Sequence, residues 1–88
     1  MKIIIAKSFA KDTYRLPAKA KKKLKELIQD LAEAASIKDL PVTKLKGGKN
    51  AYRIRFGEYR IGIYWEKDSI ILSRVLDRKD IYKYFPKK

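Results

Sequence analysis

Apolar and polar positions follow two different periods along the chain, helical in its first half and alternating in its second. Lys2 to Ala6 carries a run of isoleucines, the look of a buried β-strand. Ser8 stands where an N-cap would, predicting a short helix to about Leu16. Pro17 suits the first turn of a second helix, where its missing N–H does no harm. In that second helix Ala20, Leu24, Leu27, Ile28, Leu31 and Ala35 recur at spacings of three and four, which makes one apolar stripe. From Ser36 to Asn50 the period dissolves around Pro41, Gly47 and Gly48, predicting a loop.

The stretch from Tyr52 to Leu76 alternates strongly and breaks near Gly57-Glu58 and Lys67-Asp68, which predicts a three-stranded antiparallel meander. Asp80 to Phe85 predicts a final helical turn before Pro86. The sum is an α+β chain: an N-terminal strand and two helices packed on a mainly antiparallel four-stranded sheet, with the meander at its C-terminal end. Its 88 residues fit one domain spanning 1–88.

A two-residue turn at Gly57-Glu58 fixes a register. Phe56 then pairs with Tyr59, Arg55 with Arg60, Ile54 with Ile61, Arg53 with Gly62 and Tyr52 with Ile63. Paired side chains share a face. One face therefore collects Tyr52, Ile54, Phe56, Tyr59, Ile61 and Ile63 as a core surface. The other collects Arg53, Arg55, Arg60 and Tyr64, with Gly62 leaving open space beside Arg53. Like charges opposite each other on a sheet repel, so Arg55 facing Arg60 asks for an anion between them. Either an internal carboxylate (Glu58, Glu66 or Asp77) or a bound phosphate answers that need.

Composition sharpens this. With 23 basic and 10 acidic residues the formal net charge is +13. That exceeds the magnitude of about 2–8 that suits a soluble small domain, and points to a polyanionic partner. The chain has no cysteine and no histidine, which excludes disulfides, zinc–thiolate sites and imidazole catalysis. No stretch approaches the roughly 18 apolar residues of a membrane span, and the opening apolar run is too short for a secretory signal. The expected location is the cytoplasm, with no membrane partner, no cofactor and no metal.

Lysine and arginine are distributed unequally. Five of the six arginines fall between Arg53 and Arg78. Arginine suits bidentate phosphate recognition, whereas lysine acts as a point charge. Lys21, Lys22 and Lys25, beside Lys19 and Lys23, crowd the start of the second helix against its dipole. They read either as a solvated face or as residues that bind a nucleic acid, together with Lys46 and Lys49 in the loop and Lys79 near the end. Tyr14, Tyr52, Phe56, Tyr59 and Trp65 read as core; Tyr82, Tyr84 and Phe85, in a basic tail, suit stacking on RNA bases.

The runs Leu45-Lys46-Gly47, Ala51-Tyr52-Arg53-Ile54-Arg55, Glu58-Tyr59-Arg60-Ile61-Gly62-Ile63-Tyr64 and Arg74-Val75-Leu76-Asp77-Arg78-Lys79-Asp80-Ile81-Tyr82 resemble the signature of the RelE/ParE toxin superfamily. The resemblance covers nearly the whole chain. It implies a RelE-like fold of the microbial ribonuclease type, and a toxin that forms an oligomer with a cognate antitoxin protein. It further implies metal-independent cleavage of mRNA on the ribosome, which inhibits translation, with the 2′-OH as nucleophile. By that resemblance Arg53, Arg55, Arg60 and Arg78 hold the phosphate, and Tyr82 stacks on a base with Phe85 as competitor.

Preorganised guanidiniums stabilise a pentavalent phosphate more than its ground state. They make poor bases, so Asp77, where relatives often carry histidine, is the candidate base and Lys79 another. Asp77 equally suits a pairing with Arg78, or marks an attenuated toxin that binds RNA or antitoxin without cleaving. A ParE-like poison of DNA gyrase is the alternative from another functional class.

Overall fold

The computed structural model describes residues 1–86. In chain order the elements are strand β1 (Lys2–Ile5), helices α1 (Lys7–Thr13) and α2 (Ala18–Glu33), a 3₁₀ turn (Ile37–Asp39), strands β2 (Val42–Lys44), β3 (Ala51–Phe56), β4 (Tyr59–Glu66) and β5 (Ser69–Asp77), and helix α3 (Ile81–Tyr84). One sheet contains all five strands in the order β1-β5-β4-β3-β2. β1 lies parallel to β5, and every other neighbouring pair is antiparallel.

The β3–β4 register follows the Gly57-Glu58 turn as the alternation predicts, from Phe56 opposite Tyr59 to Ala51 opposite Tyr64. Gly57 takes φ +56°, a left-handed backbone that its missing Cβ permits. The register sorts the side chains. On one face Ile54, Ile61, Ile63, Ile70, Leu72 and Val75 pack under Phe9, Leu16, Leu24 and Leu31 from the α1–α2 layer. Fully burying side chains of this kind stabilises by about 1.5–3 kcal/mol each before the entropy of ordering is counted.

The opposite face has its own small core, in which Ile81 and Phe85 cover Ala51 beside Leu45, Tyr64 and Leu76. The space expected over Gly62 is filled: a Cβ there would lie 2.5 Å from the Phe85 ring. Glycine in mid-strand lets that ring lie close on the backbone.

β1 covers β5 only as far as Leu72. Beyond it α1 finishes the edge with side chains. Ser8 Oγ donates to the Ser73 carbonyl at 2.6 Å, and Val75 N–H donates to Asp12 Oδ2 at 3.1 Å. The same Asp12 carboxylate receives Arg74 Nε at 2.8 Å and Arg74 Nη2 at 3.0 Å, a bidentate pair. A bulge beside Gly62 shifts the β4–β5 pairing and leaves Ser73 as the extra residue.

Several elements depart from what the sequence predicts. Ser8 is not an N-cap: α1 starts at Lys7 behind Ala6, and the Ser8 hydroxyl serves β5 instead. Pro17 is the residue that caps α2, one position before its first turn, and α2 stops at Glu33, short of Ala35. The loop from Ser36 to Asn50 contains β2, which makes the sheet five-stranded, not four-stranded. Tyr14 is 80% exposed and belongs to no core, because α1 turns its buried side through Phe9 and Asp12.

Two outcomes test this packing. Gly62→Ala should cost about 1–3 kcal/mol in urea unfolding, since the ring of Phe85 must move. Asp12→Asn should cost about 2–4 kcal/mol by the same measurement, because it removes the charge facing Arg74. An unchanged midpoint in either variant contradicts the corresponding contact.

Candidate nucleic-acid interface

α3 covers only part of its face of the sheet, and the arginines occupy the rest. Arg53 and Arg55 alternate along β3, and Arg60 faces Arg55 from β4. These three side chains, with Pro41, Val42 and Thr43, line a hollow of about 400 Å³. Among the described residues no carboxylate is in that lining.

The three guanidiniums are held differently. Arg60 Nη1 donates to the carbonyls of Gly57 at 2.9 Å and Tyr59 at 2.8 Å, so the hairpin's own turn fixes it. Arg53 Nη1 donates to Tyr82 Oη, which ties α3 to the rim of the hollow. Arg55 is exposed and has no partner among the described residues. A fixed donor, a tethered donor and a free one line one hollow, an arrangement whose chemistry suits an oxyanion.

The acidic residues that could neutralise this cluster are engaged elsewhere. Glu66 Oε1 accepts Asn50 Nδ2–H at 3.0 Å. Glu58 meets Arg78 at 3.9 Å, with both side chains largely in solvent, where such a pair contributes little. Asp77 Oδ1 accepts the Lys79 N–H at 2.9 Å and closes the turn after β5. Asp77 pairs with Tyr59 on β4, and so stands on the face opposite Arg60 and Arg53. It lines a separate hollow with Asp12, Arg15 and Asp80.

The structure thus gathers Arg53, Arg55, Arg60 and Tyr82, and leaves Asp77 outside the group. Arg78 follows at the end of β5, its N–H on the Glu58 carbonyl at 3.0 Å. Phe85, expected as a base platform, is 1% exposed, because it is the ring packed on Gly62. Tyr64, expected to be open to RNA, is half-buried against it with ring centroids 5.0 Å apart. Tyr82 and Tyr84 are exposed at 53% and 54%. Tyr84 lies under the Arg74 guanidinium, 5.0 Å from ring centroid to carbon.

Lys21, Lys22 and Lys25 sit on α2, on the far side of the sheet from the arginines, with no acidic residue in the helix's first turn. Lys46 and Lys49 lie in the β2–β3 connection and Lys79 in the turn before α3. Among the described residues no group of three or more His, Cys, Asp or Glu gathers as a metal site, and no helix is long and apolar enough to cross a membrane. Sequence reasoning missed Asp12, Arg74 and Thr43. A lone Asp inside a basic helix was the available signal for the first; Thr43 lies on a strand too short to show a period.

Fold and hollow define a small basic α+β protein with an arginine-lined sheet face. The family model described as ParE toxin of type II toxin-antitoxin system matches residues 3–82. Toxin RelE3 of Methanocaldococcus jannaschii is 47% identical over 88 residues, covering 98% of this chain and 100% of the relative. Among solved structures, the RelB-RelE antitoxin-toxin complex from Methanococcus jannaschii is similar at TM-score 0.80 and 44% identity, over 94% of this chain and 99% of that one. The RelE-RelB complex of Pyrococcus horikoshii follows at TM-score 0.68 and 26% identity, over 88% and 93%. The chain belongs to the RelE/ParE superfamily of type II toxin–antitoxin toxins.

The free guanidinium gives a direct test. Arg55→Ala should weaken binding of a single-stranded RNA and reduce the slope of log affinity against log salt by about 0.7, because one phosphate is no longer neutralised. Anisotropy titrations at several salt concentrations measure it, and an unchanged slope removes Arg55 from the interface.

Proposed function

We propose that this toxin is a ribosome-dependent endoribonuclease that cleaves messenger RNA and so inhibits translation in the cytoplasm. The observation that carries the reading is the hollow lined by Arg53, Arg55 and Arg60 without a carboxylate among the described residues. Internal neutralisation of these charges would have argued for a structural cluster; an unneutralised cluster is suited to a phosphate.

In this reading the scissile phosphate lies among the three guanidiniums. Attack by the neighbouring 2′-OH oxygen forms the new P–O bond as its proton passes to solvent, the P–O5′ bond breaks with the 5′-oxygen taking a proton from solvent, and the phosphorane between them carries added negative charge. Arg60, already fixed by two carbonyls, contributes most, because a preorganised donor needs no ordering in the transition state. Tyr82 releases Arg53 to the phosphate and offers its exposed ring to a base. Asp77 takes no part in this reading, since it stands on the sheet face opposite Arg53 and Arg60. Lys46, Lys49 and Lys79 add phosphate contacts beside the hollow, and Lys21, Lys22 and Lys25 supply a second basic face toward the ribosome.

Two similar toxins were solved with RelB. We extend that partnership to this chain: an acidic or amphipathic segment of a cognate antitoxin masks the arginine face or displaces α3, in an oligomer of toxin and antitoxin.

Cleavage of mRNA on programmed ribosomes tests the reading. Arg60→Ala should lower the rate about 10²–10³-fold, while Asp77→Ala should stay within about threefold of the parent, under 1 kcal/mol. Intact messages with the parent chain, accompanied by DNA breaks in growing cells, would refute it in favour of gyrase poisoning.

A further inference from the structure

The arginine hollow has a floor as well as walls, and the floor comes from β2. Thr43 faces Arg53 in the β2–β3 register, so its side chain shares the arginine face. It is exposed and lines the same hollow as Arg53, Arg55 and Arg60. Its short side chain beside three long ones is what leaves the hollow open there. Three other hydroxyls are engaged internally: Ser8 on Ser73, Thr13 on Ala10, and Ser36 on the Lys38 amide. The Thr43 hydroxyl has no partner among the described residues.

The hollow's volume, about 400 Å³, lies in the range of small-ligand sites and has room for a sugar–phosphate unit. With a phosphate held by the walls, the sugar on its 5′ side, which bears the attacking 2′-OH, is tethered to it within reach of the floor. In a near-attack arrangement the 2′-oxygen stands about 3–3.5 Å from phosphorus. A threonine hydroxyl both donates and accepts, as a ribose 2′-OH does. The adjacent Pro41 has no N–H to compete for the same oxygen.

We propose that Thr43 is the sugar-reading residue of this site: its hydroxyl hydrogen-bonds the ribose 2′-OH next to the phosphate that the arginines hold, and so selects RNA over DNA. The inference rests on the phosphate reading of the hollow. Thr43 is a specificity and positioning residue. It orients the attacking hydroxyl and takes no proton from it.

Equilibrium binding of a short RNA and the DNA of the same sequence, by anisotropy, tests this in the parent, Thr43→Val, Thr43→Ser and Arg60→Ala. The titrations contain no ribosomes, and a gel confirms that the RNA stays intact throughout. The parent should prefer RNA roughly fivefold, the contribution of one neutral hydrogen bond. Thr43→Val keeps the branched strand side chain and should lose that preference with DNA affinity unchanged, whereas Thr43→Ser should keep it. A preference that survives in Thr43→Val, or is absent from the parent, overturns the role of Thr43. Arg60→Ala separates the two readings. If it weakens RNA and DNA alike, the phosphate site stands whatever Thr43 does; if it weakens neither, both readings fall.

Discussion

The β3–β4 hairpin decides the character of both faces of the sheet. Its Gly57-Glu58 turn sets which residues stand opposite one another, and a slip by one residue would put Arg53 and Arg55 on the same face as Ile61, or Arg60 on the same face as Ile54. The penalty for burying guanidiniums makes that alternative inaccessible. Hydrophobic burial under α1 and α2 therefore does two things at once. It holds the sheet together, and it forces like charges to stand side by side on the other face, where Arg55 and Arg60 repel each other. The arginine-lined hollow is the by-product of a core that leaves the arginines nowhere else to go.

The second core restrains that hollow from its other flank. α3 spans only Ile81–Tyr84, too short to be stable alone, and it is held by tertiary contacts from its aromatic residues. Tyr82 meets Arg53, Tyr84 lies under Arg74, and Phe85 packs on Gly62. Arg74 is in turn fixed by Asp12 of α1. A chain of contacts thus runs from the edge of the sheet, around β5, through α3 to the rim of the arginine hollow.

The hairpin register was legible because a glycine turn and strict alternation specify the same pairing, and the apolar stripes on both strands are long enough to average out exceptions. β2 was not legible. Val42-Thr43-Lys44 is too short to display a period and lies between Pro41 and a glycine pair, so its strand character comes wholly from pairing with β3. The arginine grouping followed from the register, but its rim did not. Phe85 was misread because a basic tail resembles a solvated one; the informative residue was Gly62, whose place in mid-strand signals close approach of another group. Asp77 was a candidate base by family resemblance, yet its pairing with Tyr59 puts it on the reverse side from Arg60.

The stitching of β5 by α1 bears on how copies of this chain behave in a crowd. Beyond Leu72 the outer rim of β5 commits its Ser73 carbonyl and Val75 amide to Ser8 and Asp12, and so offers little to a foreign strand. The remaining rims are brief, Lys2–Ile5 at one border and Val42–Lys44 at the other. Lysines punctuate both. Short, charged borders are poor templates for polymerisation, so a protein with this much exposed positive charge and so little acidic counterweight gains protection against fibril growth from its architecture as well as from repulsion between molecules.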